Sequence, residues 1–152
     1  MAAQLWLLRH GEAVPHDAHP DDADRELTPR GEEQSRAAGR ALHALGITFQ
    51  AVYASPKVRA LDTARLACEA IGLEPIVHAP LRSGFGARDA RELLVAEGPD
   101  QRILVVGHNP DFAQVVHDLT GARIELKKGG VAGIRDRELL VLLRPREIER
   151  IG

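Results

Sequence analysis

The sequence predicts an α/β domain, a three-layer sandwich around a mostly parallel central sheet. Three observations carry that reading. Leu5-Trp6-Leu7-Leu8 and Ile103-Leu104-Val105-Val106 are short continuous apolar runs, the pattern of strands buried on both faces. Between and around them, apolar residues recur at helical spacing, so strands alternate with helices. Polar, glycine-bearing clusters follow the predicted strands, the place where open α/β sheets bind ligands.

Each element has a local reason. The first strand, Leu5 to Leu8, stops at Arg9-His10-Gly11, and residues 13–26 form an acidic loop broken by Pro15 and Pro20. Thr28 is placed to cap a helix that has Pro29 at its first position. That helix carries Ala38, Ala41, Leu42 and Leu45 on one face and ends at Gly46. Ala51 to Ala54 reads as a second strand. A helix from about Pro56 to Ile71 follows, with Leu61, Ala64, Cys68 and Ile71 in register and Gly72 closing it. Pro75 to Val77 suits a short strand, residues 80–88 a loop, and Asp89–Glu97 a short helix. After the strand at Ile103–Val106 comes Gly107-His108-Asn109-Pro110, then a helix to Leu119 with Asp111 as its cap. Val131–Ile134 and Leu139–Leu143 around Asp136 read as a closing hairpin.

Composition narrows the function. The 152 residues suit one domain spanning 1–152, with no linker, repeat or low-complexity tract. Lys and Arg total 20 against 22 Asp and Glu, a formal charge of −2, so no broad basic face for nucleic acid is expected. Arginines outnumber lysines 17 to 3, so a lone arginine says little. One cysteine forms no internal disulfide, and no Cys/His cluster has zinc spacing. The apolar run at the start is too short for a signal segment or a membrane span, and a cytoplasmic protein is the expectation.

The chemistry gathers at strand ends. Arg9 and His10 follow the first strand, Ser55-Pro56-Lys57-Val58-Arg59 the second, and His108 the fourth. Two guanidiniums suit a dianionic tetrahedral group, because each forks onto two oxygens. One histidine there is able to attack phosphorus, and a second to donate to the developing negative charge. The His16-Asp17-x-His19-Pro20-Asp21-Asp22 cluster is read as a mobile acidic loop rather than a metal site, since Pro20 breaks ligand spacing. Lys127-Lys128 is read as a pair of exposed lysines before a strand rather than a substrate-steering element.

Arg9-His10-Gly11, Ser55-x-x-x-Arg59-Ala60-x-x-Thr63-Ala64 and Gly107-His108, with Leu27-Thr28-x-x-Gly31-x-x-Gln34, resemble the motifs of the histidine phosphatase superfamily, the phosphoglycerate mutase-like fold. The resemblance spans residues 5 to about 120 in the family's order. The short chain and Asp22-x-x-Arg25-x-Leu27-Thr28 are similar to its bacterial phosphohistidine phosphatases of the SixA type.

The resemblance implies that His10 is the nucleophile and becomes phosphohistidine. It implies that Arg9, Arg59 and His108 form the phosphate pocket, with Arg25 an added substrate-binding candidate. The cations supply the charge that a metal supplies elsewhere, so no metal or cofactor is expected. His10 must be neutral, one ring nitrogen free and the other N–H held by an acceptor, and the surrounding positive groups favour that state. The proton donor to the leaving oxygen is open among Glu12, Asp89, Glu92 and Glu97, or none. The expected substrate is phosphohistidine on a protein of the histidine-phosphotransfer type. The alternative is a small phosphorylated metabolite such as a sugar phosphate or nucleotide. A binding module without catalysis is expected to lack the nucleophile, and His10 is present. Neither a nucleic-acid nor a membrane partner is expected.

Overall fold

Successive residues of the first strand enter two different cores. Trp6 and Leu8 pack in one and Leu5 and Leu7 in the other, as a strand covered on both faces requires. A computed structural model describes residues 2–152 and gives this strand as β1, Gln4–Arg9. The remaining strands are β2 (Ala51–Ala54), β3 (Ile76–Val77), β4 (Arg102–Gly107), β5 (Val131–Arg135) and β6 (Glu138–Leu143). They form one sheet in the order β3-β2-β4-β1-β5-β6. The β3–β2, β2–β4 and β4–β1 pairings are parallel, and β1–β5 and β5–β6 are antiparallel.

Helices cover both faces. On one side α1 (Pro29–Ala44), α2 (Val58–Ile71) and α5 (Pro145–Ile151) pack through Ala38, Ala41, Leu42, Ala64, Ala67, Cys68 and Ile148 onto Trp6, Leu8, Leu104 and Val106. On the other, α3 (Ala87–Glu97) and α4 (Asp111–Thr120) bury Ala90, Leu93, Phe112, Val115 and Val116 against Leu5, Leu7, Ile103 and Val105. This is the three-layer α/β arrangement expected from the sequence. No helix among the described residues is long and apolar enough to cross a membrane.

Local signals hold where they rest on backbone chemistry. Thr28 caps α1, its Oγ1 accepting the Gly31 N–H at 3.0 Å, and Pro29 is the first helical residue. Gly72 ends α2 at φ +83°, and Asp136 turns the β5–β6 hairpin at φ +52°.

Four details differ from the sequence reading. Leu45 follows α1 rather than facing its core and is half exposed. Asp111 is the first residue of α4, not its cap, and its carboxylate accepts the Gly84 N–H across the site. The segment 13–26, expected as a loop, contains two short 3₁₀ turns, His16–Ala18 and Asp22–Asp24, and meets Arg59 through Asp22. The chain closes with α5, which sequence pattern did not reveal, because only Ile148 of its seven residues is buried and most of the rest are charged.

Candidate active site

Arg9 and His10 leave β1, Ser55 follows β2, and His108 follows β4, so three adjacent parallel strands deliver their carboxyl ends to one place. The His10 and His108 rings lie 5.3 Å apart between centroids. A cavity of about 400 Å³ is lined there by Arg9, His10, Arg25, Lys57, Arg59, His108 and Asp111, among others. The structure therefore brings together all five residues expected at the site.

The loop bearing His10 is held by close backbone approach. A Cβ on Gly31 would lie 1.9 Å from the Glu12 carbonyl oxygen, and one on Gly11 would lie 2.5 Å from the Gly31 carbonyl oxygen. Only glycine permits that contact between the loop and the first turn of α1. The Gly11 N–H donates to Thr63 Oγ1 at 3.1 Å and the Glu12 N–H to Gln34 Oε1 at 2.9 Å. Gly31, Gln34 and Thr63, which the sequence shows only as motif positions, thus act together to fix the loop that carries His10.

The two histidines are wired differently. His10 Nδ1 lies 2.7 Å from the Gly11 carbonyl oxygen. A carbonyl only accepts, so Nδ1 carries the proton and Nε2 keeps its lone pair. Burial, first, pushes the His10 pKa down to about 3, with His108, Arg59 and Arg9 adding repulsion and the Gly11 carbonyl opposing them. The neutrality expected from surrounding charge is real, but desolvation is its main cause.

His108 Nε2 instead meets Ser55 Oγ at 2.8 Å. Ser55 Oγ accepts the Lys57 N–H at 3.2 Å, and the imidazole is the one acceptor near its own buried proton among the described residues, so the hydroxyl donates to Nε2. His108 then holds its own proton on Nδ1, a buried nitrogen with no protein partner. Burial again leads in lowering its pKa to about 3, followed by Arg59 and Lys57.

The cations are positioned by oxygen acceptors. Arg59 donates from Nη1 to the Asp22 carbonyl at 2.9 Å and from Nη2 to the Asp22 carboxylate at 3.1 Å. The same carboxylate meets Lys57 at 3.2 Å and Arg25 Nε at 2.9 Å. Lys57 and Arg59 hold the Asp22 carboxyl well below the usual carboxylate range, although its own burial opposes them. Arg25 also donates to the Val14 carbonyl, so it is a buried, lining residue. Arg9 Nη1 and Asn109 Nδ2 share the Leu126 carbonyl. Arg9 Nε and Arg59 Nε, like His108 Nδ1, are buried without a hydrogen-bond partner. Buried donors are rarely left unpaired, and three of them in one cation-rich cavity fit a tetrahedral oxyanion.

The candidate proton donors lie elsewhere. Glu12 pairs with Arg30 at 3.3 Å, Asp89 accepts the Gly86 N–H at 2.9 Å, Glu92 pairs with Arg88 at 3.3 Å, and Glu97 bonds the Tyr53 hydroxyl. None of the four lines the cavity. The carboxylate that does line it is Asp111, hidden in the sequence because it looked like a helix cap. Ser55 and Lys57 were visible as motif positions without a role. Asp22, placed by a loop distant in sequence from β2, had no sequence signal linking it to Arg59. The acidic-loop histidines are paired locally, His16 with Asp22 at 3.5 Å and His19 with Glu26.

Comparison with known proteins identifies the family. Residues 5–91 match the family model described as the histidine phosphatase superfamily (branch 1). An uncharacterized protein of Picosynechococcus sp. is 32% identical over 160 residues, covering 94% of this chain and 97% of that protein. The mitochondrial serine/threonine-protein phosphatase Pgam5 of Drosophila grimshawi is 37% identical over 128 residues. That match takes in 82% of this chain but 38% of the longer protein. In backbone, the chain resembles the solved structure of the protein histidine phosphatase SixA complexed with tungstate. The TM-score is 0.85 and the identity 22%, with 95% of this chain and 99% of that one covered.

Proposed function

This chain belongs to the histidine phosphatase superfamily, and from that premise we propose that it dephosphorylates phosphohistidine carried on a protein. His10 Nε2 attacks phosphorus in line, and the phosphorus–nitrogen bond to the substrate imidazole breaks. Arg9, Arg59, Arg25 and His108 Nδ1–H bind the phosphoryl oxygens, where charge builds in the transition state. His10 becomes cationic as it takes the phosphoryl group, and its Nδ1–H bond to the Gly11 carbonyl then strengthens. Water next adds its oxygen to phosphorus and releases one proton, the bond to Nε2 breaks, and neutral His10 and inorganic phosphate result. The fixed cations serve in place of a metal ion in this scheme.

The observation that carries the substrate class is the engagement of the carboxylates. Glu12, Asp89, Glu92 and Glu97 are all paired away from the cavity. An alkoxide leaving group needs an acid, whereas a phosphoimidazole is protonated near neutral pH, with ~6.5 as the reference pKa of imidazole. It leaves as neutral imidazole without help. SixA, which the backbone resembles, is by name a protein histidine phosphatase.

One observation favours a second reading. Asp111 lines the cavity, and Pgam5 is by name a serine/threonine-protein phosphatase, an ester-cleaving activity. In that reading Asp111 protonates an alkoxide, and phosphate esters, including small metabolites, are substrates. The test compares kcat/KM for a phosphohistidine protein with that for phosphoserine peptides, sugar phosphates and nucleotides, before and after Asp111→Asn. Preference for phosphohistidine, unmoved by D111N, supports the proposal. An ester preferred by tenfold or more, and lost in D111N, replaces it.

A further inference from the structure

Beside the phosphate cavity lies a larger groove of about 980 Å³ that the chemistry above does not use. It is built from the first turn of α1, residues 109–113, the segment 125–128 and the start of α5. Its lining carries six cations, Arg9, Arg30, Lys127, Lys128, Arg144 and Arg146, against two carboxylates, Glu12 and Glu125. Glu147 adds a third carboxylate just outside, pairing with Arg144 at 2.9 Å. This excess stands on a chain whose formal charge is −2. Arg9, Asn109, Pro110 and Lys128 line both the groove and the phosphate cavity, so the two are continuous. Lys128 has no ion-pair partner among the described residues.

We infer that this groove docks an acidic segment of the phosphoprotein substrate while its phosphoryl group occupies the cavity. The inference rests on the protein-substrate reading above and adds the charge of the substrate surface. The cations come from four separate stretches of chain, and Lys127, Arg144 and Arg146, each paired with Glu125 or Glu147 on the surface, are partly to largely exposed and so remain open to a competing anion. One phosphate on a small molecule engages only those beside it. A row of dispersed, solvated cations matches a row of dispersed anions, and such pairs steer encounter and select partners. Leu126, Pro110, Ala113 and Pro145 lie between the charges and give apolar side chains of a polypeptide a surface to contact. The Lys127-Lys128 pair, expected from the sequence to be exposed lysines without a steering role, thereby acquires one.

The test uses the full chain and two short phosphohistidine peptides, identical except that one has Asp and Glu flanks and the other Ser and Gly. Wild type is expected to favour the acidic peptide by about tenfold in kcat/KM at low ionic strength, with the margin shrinking as salt screens the pairs. The Lys127→Ala/Arg146→Ala double variant is expected to lose that preference while keeping turnover of the neutral peptide and of p-nitrophenyl phosphate within about twofold. Equal use of both peptides by wild type, or a preference that survives in the variant, overturns the inference. A parallel fall on every substrate also overturns it, since the groove would then belong to the phosphate site itself. A second arm does not depend on catalysis: fluorescence anisotropy of the acidic peptide without phosphate. Binding weakened by the double substitution supports docking even if neither phosphohistidine peptide is cleaved, an outcome that would instead defeat the substrate reading. Binding of inorganic tripolyphosphate, read by calorimetry and weakened by the double substitution, in a groove that does not bind the peptide would make it a small-polyanion site and overturn the inference.

Discussion

The ends of β1 and β4 each present a buried histidine, both with pKa values pushed down to about 3, yet the two sites have opposite wiring. At β1 a backbone carbonyl takes the Nδ1 proton of His10 and leaves Nε2 as a lone pair. At β4 a serine hydroxyl faces Nε2 of His108 and leaves Nδ1 as a donor. Burial favours the neutral form of both rings, and the neighbouring oxygen decides which ring nitrogen is engaged and which is left to face the cavity. Two residues of one type in one cavity are thus given different work by a single contact each.

The largest effect should come from removing the lone pair. His10→Ala is expected to abolish turnover to the background of binding and charge stabilisation, a loss on the order of 10⁴–10⁶ in kcat by analogy with other nucleophile deletions. Single-turnover rates with labelled substrate check this, and a variant retaining a tenth of wild-type kcat would refute the assignment.

Arg59, which lines the cavity with both histidines, comes next. Arg59→Ala is expected to lower kcat by ~10²–10³ with a smaller change in KM, because the charge it meets is greatest in the transition state. Arg59→Lys should recover little, since an ammonium cannot reproduce the fork held by Asp22. Steady-state kinetics separate the two parameters, and a lysine variant within a few-fold of wild type would place Arg59 at the periphery.

Ser55→Ala sharpens the comparison itself. Without the hydroxyl, the His108 proton is free to move to Nε2, and the donor on Nδ1 is lost in part of the population. A fall of about tenfold in kcat is expected, well below the loss at His10. Nitrogen-15 shifts of His108 should report the tautomer change, while those of His10 stay fixed. An unchanged His108 tautomer in S55A would show that the serine does not set it.

A last effect is on stability rather than on turnover. Both folded-state pKa values lie below the ordinary histidine value, so between pH 6.5 and about 3 the unfolded chain binds more protons than the folded one. The stability is fully present above pH 6.5 and falls with acidification through that window, by up to ~1.4 kcal/mol per pH unit for each histidine. Urea midpoints from pH 7 to pH 4 should decline in wild type and less steeply in His10→Gln. Equal slopes would mean that His10 is not held neutral by its burial.

How much was legible in the sequence follows from where each contact originates. Thr28, Pro29, Gly72 and Asp136 act on their own backbone, so the elements they bound could be read locally. His10, Arg59 and His108 follow buried strands, and strand ends converge in a parallel sheet, so their meeting was also legible. Asp22 and Asp111 act across loops, on Arg59 and Gly84 respectively, and no spacing connects those positions. Glu12 is two residues from His10 in sequence, but its carboxylate pairs with Arg30 instead. The α5 helix was missed because one buried isoleucine makes no period.

In the proposed mechanism the Gly11 carbonyl commits His10 to attack through Nε2. The direct measurement is the isomer of the trapped phosphoenzyme: rapid alkaline quench during turnover, then phosphorus–proton correlation NMR on the His10 peptide. Phosphate bonded to Nε2, stable to alkali and lost in acid, is the expected result. Phosphate on Nδ1 of His10, or on any other residue, would contradict it.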